Sequence, residues 1–210
     1  IQAETRRQFA QAEAAGQPRV VYDMPLLIDN GLHTGMDLVI VVHADEDTRI
    51  RRLMRHRGLD EADIRRRIAS QIDEATRLRA ADIILDCSDN YPTRQAVNRA
   101  AVATRTPLVS AAAVGFDGQI AVYRPDLPDT PCYACLFDGE QASDGACALF
   151  GVFSPLVGVI GTTQAAEALK VLIGIGTPSH GKLSTYNALS GKWQQYGVRR
   201  NPECPVCGGR

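Results

Sequence analysis

Two Cys-x-x-Cys pairs constrain the fold of this 210-residue chain more than any other feature. Cys132 and Cys135 form the first pair, Cys204 and Cys207 form the second, and residues 136–203 separate them. The spacing within each pair lets both sulfur atoms reach one metal ion from a tight turn, and four thiolates complete the tetrahedron that zinc prefers in structural sites. The sequence therefore predicts a structural zinc ion that fixes the C-terminal tail to a distant loop.

Two redox pairs or two disulfides are the alternative interpretation of these four cysteines. Residues 1–16 have the pattern of a charged amphipathic helix rather than a signal peptide, and disulfides are typical of exported chains. Of the other two cysteines, Cys87 follows an apolar strand and is predicted to be a small buried side chain. Cys147 lies in a predicted loop, where an inert thiol and a role in thiol chemistry are both open.

Apolar segments alternate with helical ones along most of the chain. Near-continuous apolar runs at 19–27, 37–42 and 81–86 predict strands of a parallel sheet covered on both faces. The later elements are predicted in the order helix, two strands, helix, two antiparallel strands, at 91–104, 107–112, 118–124, about 155–173, 182–188 and 192–198. We expect an α/β fold with a mainly parallel sheet, helices on both faces, antiparallel C-terminal strands and a zinc-pinned tail.

Charge divides the chain into two segments near residue 85. Residues 1–85 contain 13 Arg, no Lys and 14 acidic residues, whereas residues 86–210 contain 10 basic and 10 acidic residues and all six cysteines. We therefore expect two domains, 1–85 and 86–210. The formal net charge is −1, so no overall field favours nucleic acid as a partner.

An uncharged stretch at 148–166 is long enough to raise the question of a membrane span. It contains Pro155 and three glycines, and the charged residues Glu167 and Lys170 follow it directly. These features favour a buried helix that begins at a proline over a spanning helix. We expect no membrane segment and a cytoplasmic protein.

The segment Asp86–Asn90 lies where a strand ends and a helix begins, which is the edge where open α/β sheets bind ligands. Asp89 can coordinate magnesium, and Asn90 can hydrogen-bond a ribose or a phosphate. Helix capping by Ser88 or Asp89 explains the same residue types equally well. Both interpretations stay open on the residues alone.

Residues from about 82 to the end resemble the C-terminal half of the molybdopterin-synthase and thiamine-biosynthesis adenylyltransferases, bacterial relatives of ubiquitin-activating enzymes. The matching runs are ADIILDCSDNYPTRQAVN, PLVSAAAVGFDGQIAVY, PCYACL, GVFSPLVGVIGTTQAAEALKVL and NPECPVCG. The resemblance implies that ATP adenylates the C-terminal Gly-Gly of a ubiquitin-like sulfur-carrier protein. It also implies that Asp89 contacts magnesium-ATP with Asn90 and Arg94 as further nucleotide contacts, that the four paired cysteines bind zinc, and that Cys147 is a candidate for a thioester or persulfide.

Members of that family carry a Gly-rich nucleotide loop before the strand that matches residues 82–86. Neither G-x-G-x-x-G nor G-x-x-x-x-G-K-[ST] occurs in the 210 residues. We therefore expect an incomplete or inactive adenylyltransferase centre in this chain.

Residues 1–85 resemble the C-terminal part of dephospho-coenzyme A kinase. The matching runs are IQAETRRQF, VVYDMPLLIDNGL, DLVIVVHADEDTRIRRLMRHRGLDEADIRRRIASQ and RLRAADIILD. The resemblance implies a substrate-site role for Asp23 and a lid role over ATP for Arg57 and Arg65 to Arg67, although a solvated charged face explains these arginines as well. A natural fusion, an assembly artefact and an engineered chimera are all compatible with two such segments in one chain.

Three functions follow as alternatives: a carrier-protein adenylyltransferase, a dephospho-coenzyme A kinase fragment, and a non-catalytic zinc-stabilised binding module. The expected partner is a ubiquitin-like sulfur-carrier protein, with a homodimer as a further option and residues 138–146 as a candidate docking loop.

Overall fold

The computed structural model describes residues 2–43, 46–137 and 151–209. The helices are α1 (Gln2–Ala14), α2 (Glu46–Arg57), α3 (Glu61–Ala69), α4 (Glu74–Arg79), α5 (Tyr91–Thr104) and α6 (Ser154–Ile173). The strands are β1 (Ile40–His43), β2 (Ile83–Asp86), β3 (Leu108–Val114), β4 (Asp117–Tyr123), β5 (Lys182–Asn187) and β6 (Lys192–Gly197). Short 3-10 helices cover Leu32–Gly35 and Tyr133–Cys135.

The six strands form one mixed sheet in the order β1-β2-β3-β4-β5-β6. β1, β2 and β3 are parallel, and every later pair is antiparallel. The α/β class and the antiparallel C-terminal strands are confirmed. Parallel pairing stops at β3 because only Gly115 and Phe116 join it to β4, and a connection that short reverses the chain. The parallel part of the sheet is therefore smaller than the sequence suggested.

Helices cover both faces of the sheet, as expected. In β2 the side chains alternate, so that Ile84 packs with Val97 and Ala101 of α5 on one face. Ile83 and Leu85 pack on the other face in a cluster with residues of α6. All four residues of β2 are buried, which explains why the sequence of this strand is apolar on both sides.

The predicted strand at 19–27 is wrong. Residues 18–24 have no regular structure, and Val21 is 92% exposed. In the part of the chain that the structure describes, β1 is the edge of the sheet and this segment does not pair with it. An apolar run without a neighbouring strand has no ladder hydrogen bonds to hold it extended.

The helical region after Gly58 is divided in two, although the apolar residues Ile64, Ile68 and Ile72 recur at the spacing typical of one helix. Asp60 caps α3 by accepting a hydrogen bond from the Ala62 N–H (3.0 Å). α3 ends at Ala69, and the carboxylate of Asp73 caps a new helix by accepting from the Thr76 N–H (2.8 Å). Capping by a second aspartate therefore overrides the continuous apolar pattern.

Helix α6 is the long apolar helix predicted near Pro155. By length and composition alone it could cross a membrane. In this structure Leu156 and Ile160 are buried against the sheet, and the buried side chain of Gln164 donates hydrogen bonds to the carbonyl oxygens of Asp86 (3.0 Å) and Val109 (2.9 Å). The helix thus packs on the sheet through both apolar and polar side chains.

Candidate metal centre and strand-end loop

The four paired cysteines lie together, although residues 136–203 separate them in sequence. Their sulfur atoms all lie within 4.8 Å of one another. The Sγ atoms of Cys132 and Cys204 are 3.7 Å apart, and those of Cys135 and Cys207 are 3.4 Å apart. These cysteines are unbridged, since a disulfide would bring two sulfurs to about 2.05 Å.

The spacing of the sulfurs fits one tetrahedral ion. Zinc–sulfur bonds of about 2.3 Å place the corners of a tetrahedron about 3.8 Å apart, close to the two measured separations. Three of the four cysteines are buried and Cys135 is half-buried, so the donor set is shielded from water. Four sulfur donors in a closed cluster match a structural zinc site and leave no position for a reacting water.

Two tight turns present these sulfurs. In the first pair the Cys135 N–H donates to the Cys132 carbonyl oxygen (3.0 Å), and in the second the Gly208 N–H donates to the Cys204 carbonyl oxygen (2.8 Å). A Cβ atom at Gly208 would lie 2.5 Å from the Pro202 carbonyl oxygen, so the second turn closes only with glycine there. The guanidinium of Arg200 donates to the Cys207 carbonyl oxygen (2.7 Å) and holds the tail over the cluster.

Hydrogen-bond donors reach the sulfurs from two further residues. The side-chain amide of Asn98 in α5 donates to Cys132 Sγ (3.5 Å), and the Asn201 N–H donates to Cys135 Sγ (3.4 Å). Donors of this kind stabilise thiolate rather than thiol and are typical of the shell around a metal site. No local pattern singles out Asn98, because its partner Cys132 lies 34 residues away.

Burial acts on the acidity of these thiols. It raises the pKa of Cys132 far above its usual value and also raises the pKa of Cys135. For Cys207 burial acts in the same direction, but hydrogen bonds with the other three cysteines and with Arg200 outweigh it and lower the pKa to about 7. A divalent cation would let the remaining thiols ionise, so cation binding releases protons and weakens as the pH falls.

The loop after β2 is built on the buried carboxylate of Asp86. Its Oδ1 accepts hydrogen bonds from the Ser88 N–H (3.0 Å) and hydroxyl (2.6 Å), and its Oδ2 accepts from the Ser110 hydroxyl (3.0 Å). Asp86 is 1% exposed, so it fixes the loop from inside and does not face a ligand. Ser88 is also buried, and its hydrogen bonds to Asp86 hold the loop rather than a ligand.

Helix α5 is capped by Asn90, not by Ser88 or Asp89 as the sequence had suggested. The Asn90 side-chain oxygen accepts a hydrogen bond from the Thr93 N–H (2.9 Å). Arg94 is buried and donates to the Ser88 carbonyl oxygen (2.5 Å). Both residues therefore shape the loop, and their contact with a nucleotide stays a prediction.

Asp89 is the acidic residue of this loop that reaches the surface. Its carboxylate is 44% exposed and lies 3.3 Å from the guanidinium of Arg51 in α2. The structure thus brings an arginine of the first segment to the acidic loop of the second. No sequence pattern had indicated this contact, because the two residues are 38 positions apart.

The remaining candidate residues do not join this group. Asp23 and Arg57 are exposed, and Arg65 forms ion pairs with Glu61 and Glu46, as expected of a solvated charged face. Cys147 and the loop 138–146 lie outside the described residues. Cys87 is half-buried beside Gln164, close to its predicted role as a small buried side chain.

Residues 57–206 match the sequence profile of the ThiF family. The chain belongs to the ThiF family. A sulfur carrier protein ThiS adenylyltransferase of Escherichia coli is 48% identical over 129 residues, which are 61% of this chain and 51% of that protein. A sulfur carrier protein adenylyltransferase of Thermus thermophilus is 51% identical over 137 residues, 62% of this chain and 50% of that protein. This ThiF-family chain spans about half the length of these curated relatives.

The first segment has a different relative. Residues 1–92 match the profile of dephospho-CoA kinase, and a dephospho-CoA kinase of Corynebacterium efficiens is 60% identical over 86 residues, 41% of this chain and 43% of that protein. The resemblances of both segments, to ThiF-type adenylyltransferases and to dephospho-CoA kinase, are therefore confirmed.

Among solved structures, that of E. coli MccB with ATP aligns with a TM-score of 0.54 at 22% identity, over 80% of this chain and 59% of that one. The similarity to MccB concerns the fold alone.

Proposed function

We propose that this ThiF-family chain carries the acidic-loop half of an adenylyltransferase centre that acts on the C-terminal Gly-Gly of a ubiquitin-like sulfur-carrier protein. The observation that carries the proposal is the exposed carboxylate of Asp89 at the carboxyl end of β2, within the segment that matches the ThiF profile. Open α/β sheets bind nucleotides at that edge. The relatives that are carrier-protein adenylyltransferases support the same substrate class.

In this reaction a carboxylate oxygen of the terminal glycine attacks the α-phosphorus of ATP, the bond to the bridging oxygen breaks, and pyrophosphate leaves. Such a step depends on charge neutralisation and on positioning. Asp89 would hold the magnesium ion of magnesium-ATP, and Arg51 is the cation beside it. Asp86 and Arg94 fix the loop that carries Asp89.

The four cysteines would hold a structural zinc ion, which supplies cross-linking rather than chemistry. Their buried sulfur set and short separations support that choice. The same proposal includes three further points. The protein is cytoplasmic, it does not bind nucleic acid, and it forms a homodimer. Cys147 is retained as a candidate for thioester or persulfide chemistry.

Titration of magnesium-ATP into the zinc-loaded chain tests the assignment of Asp89. We expect magnesium-dependent binding that is lost in Asp89→Asn and retained in Asp37→Asn, which removes an exposed carboxylate on a different part of the surface. Equal affinity of the two variants would contradict the role of Asp89.

Exchange of pyrophosphate into ATP with a Gly-Gly-tailed carrier tests whether the adenylyltransferase centre is complete. We expect no exchange above background, because no Gly-rich nucleotide motif occurs in the sequence. Correct positioning of the reactants can lower an activation barrier by roughly 7–11 kcal/mol, and this benefit would be lost. Robust exchange would show a complete centre.

The match of residues 1–92 to dephospho-CoA kinase favours a second candidate, phosphorylation of dephospho-coenzyme A. Phosphoryl transfer needs a phosphate-cradling loop and magnesium. An ADP-release assay with dephospho-coenzyme A is expected to give background rates.

A non-catalytic binding module is the remaining function. It is favoured if neither pyrophosphate exchange nor ADP release is detected and a Gly-Gly-tailed carrier still binds.

A further inference from the structure

The side chain of Asn98 holds the first cysteine turn from α5, the helix that begins directly after the loop that carries Asp89. We propose that Asn98 is a positioning residue that couples the four-cysteine cluster to this loop, so that a metal ion on the cysteines holds residues 87–90 in place. The importance of that loop for nucleotide rests on the proposed function. The coupling itself is a property of the folded chain and can be measured without any nucleotide.

Both ends of the Asn98 amide are used within the protein. Its nitrogen donates to Cys132 Sγ (3.5 Å), and its oxygen accepts from the Tyr133 N–H (3.0 Å). Asn98 is 1% exposed, so water cannot replace either bond. A metal-bound thiolate is a stronger acceptor than a thiol, and metal binding therefore strengthens the hold of Cys132 on α5.

One helical turn earlier on the same face of α5, Arg94 reaches the strand-end loop. Its guanidinium donates to the Ser88 carbonyl oxygen (2.5 Å), and its positive charge lies near enough to the Tyr133 side chain to interact with it electrostatically. The Tyr133 backbone is held by Asn98, and its side chain lies beside Arg94. A shift of Tyr133 therefore disturbs a buried arginine whose hydrogen bond goes to the loop that carries Asp89.

A second contact joins the cysteine turn to the start of α5. The Tyr91 hydroxyl and the Gln95 side-chain amide both donate to the Phe137 carbonyl oxygen, each at 2.8 Å. The rings of Phe137 and Tyr133 lie 4.6 Å apart. The segment 132–137 is thus fastened to α5 at Asn98 and again at its first turn, directly after the loop that bears Asp89.

Loss of the metal removes the anchor at Cys132 and leaves the Asn98 amide with a weaker acceptor. Residues 132–137 then loosen, and the contacts through Arg94 and Tyr91 transmit the change to the loop. Because coupling between two sites is reciprocal, magnesium-ATP at the loop raises the affinity of the cysteines for the metal.

Hydrogen exchange of the full chain, with zinc and after chelation, tests the coupling directly. We expect the backbone amides within residues 88–93, apart from Pro92, to exchange at least about fivefold faster without zinc, with β5 and β6 changing little. Asn98→Ala is expected to release zinc to a chromophoric chelator on the order of tenfold faster, as for other residues that contact a metal ligand. It should also accelerate exchange at 88–93 in the zinc-loaded protein.

Val97→Ala is the matched control, because Val97 is equally buried in α5 but packs only in the apolar core. It should leave both zinc release and the ratio of exchange rates at 88–93 unchanged. Asn98→Asp keeps the acceptor for the Tyr133 N–H and loses the donor to sulfur, so it should release zinc faster while residue 133 stays protected. This variant keeps the test informative if Asn98→Ala does not fold.

The proposal would be overturned if the exchange rates of residues 88–93 were the same with and without zinc. It would also be overturned if Val97→Ala and Asn98→Ala changed zinc release and these exchange rates equally. A response of 88–93 to zinc in a protein that binds no magnesium-ATP would support the coupling and reject the proposed function. The two ideas can therefore fail separately.

Discussion

The guanidinium of Arg51 lies 3.3 Å from the carboxylate of Asp89, and this ion pair joins the kinase-like segment to the ThiF segment. Both side chains are partly exposed, 64% and 44% respectively. An exposed pair of this kind stabilises the fold by about 1 kcal/mol or less. The position of the pair matters more than its energy, because Arg51 brings a positive charge from the first segment to the acidic loop of the second.

Arg51→Ala should therefore strengthen magnesium binding at Asp89 without a large change in stability. Removal of the competing cation ends its electrostatic competition with magnesium for the carboxylate, and the limited energy of an exposed pair sets the gain at no more than about fivefold. Titration with Mn²⁺, followed by electron paramagnetic resonance in the presence of ATP, measures the affinity.

Arg55→Ala is the control for this change, since Arg55 is an exposed arginine one turn further along α2. It should leave the affinity unchanged. Weaker metal binding in Arg51→Ala than in Arg55→Ala would mean that Arg51 assists the site rather than competing for it.

Gly208→Ala should loosen the C-terminal turn. The new Cβ atom would meet the carbonyl oxygens of Pro202 at 2.5 Å and Cys204 at 2.6 Å, so the backbone of the turn must move. Gly209→Ala is the matched control, because nothing lies within 4 Å of a Cβ atom there. We expect zinc release to accelerate on the order of tenfold in the first variant only, and equal rates would contradict the geometry of the turn.

Tyr123→Phe should stabilise the protein at neutral pH by about 1 kcal/mol. The hydroxyl of Tyr123 is buried and has no hydrogen-bond partner among the described residues, and such a group carries a desolvation cost. Urea unfolding at pH 7 measures the change. Tyr91→Phe, whose hydroxyl donates to the Phe137 carbonyl oxygen, should instead lose about 1 kcal/mol.

Tyr123 also makes the stability of the fold depend on pH in the alkaline range. Burial raises the pKa of Tyr123 well above its ordinary value, so the folded protein keeps the proton that the unfolded chain loses near pH 10. The contribution of this group is complete below about pH 10 and is lost as the pH rises further. The advantage of Tyr123→Phe should therefore grow between pH 9 and pH 11, and a constant difference would contradict this account.

Gln164→Met should lower the free energy of unfolding by about 2–3 kcal/mol. The variant keeps the volume of the side chain but removes the donor from the carbonyl oxygens of Asp86 and Val109 inside the protein. Thr162→Val on the exposed side of α6 is the control and should change stability by less than about 0.5 kcal/mol. Similar denaturant midpoints for the two variants would show that the buried amide is dispensable.

Local chemistry made much of the fold predictable from the sequence. Aspartate favours the position before a helix and glycine the position after one; Asp60 caps the start of α3, and Gly58 directly follows the last residue of α2. The two Cys-x-x-Cys turns favoured one cluster over two redox pairs, because two matched turns can present four thiolates to one ion, and the sulfurs do lie together. These signals are strong because each depends on residues within a few positions of one another.

The features that sequence reasoning missed depend on partners far along the chain. The apolar run at 19–27 looks like a strand, yet no neighbouring strand pairs with it in the described part of the sheet. Asn98 and Arg51 looked like ordinary helix residues until the fold brought Cys132 and Asp89 to them. No local pattern encodes such contacts.

Zinc-edge X-ray absorption on the reduced, purified chain tests the central claim, that four cysteine thiolates hold one ion and fix the tail to residues 132–135. The account predicts one zinc per chain with four sulfur neighbours at about 2.3 Å, lost in Cys204→Ser and retained in Cys87→Ser. Fewer than four sulfur neighbours, or a tail that stays equally protected from exchange after complete removal of metal, would contradict it.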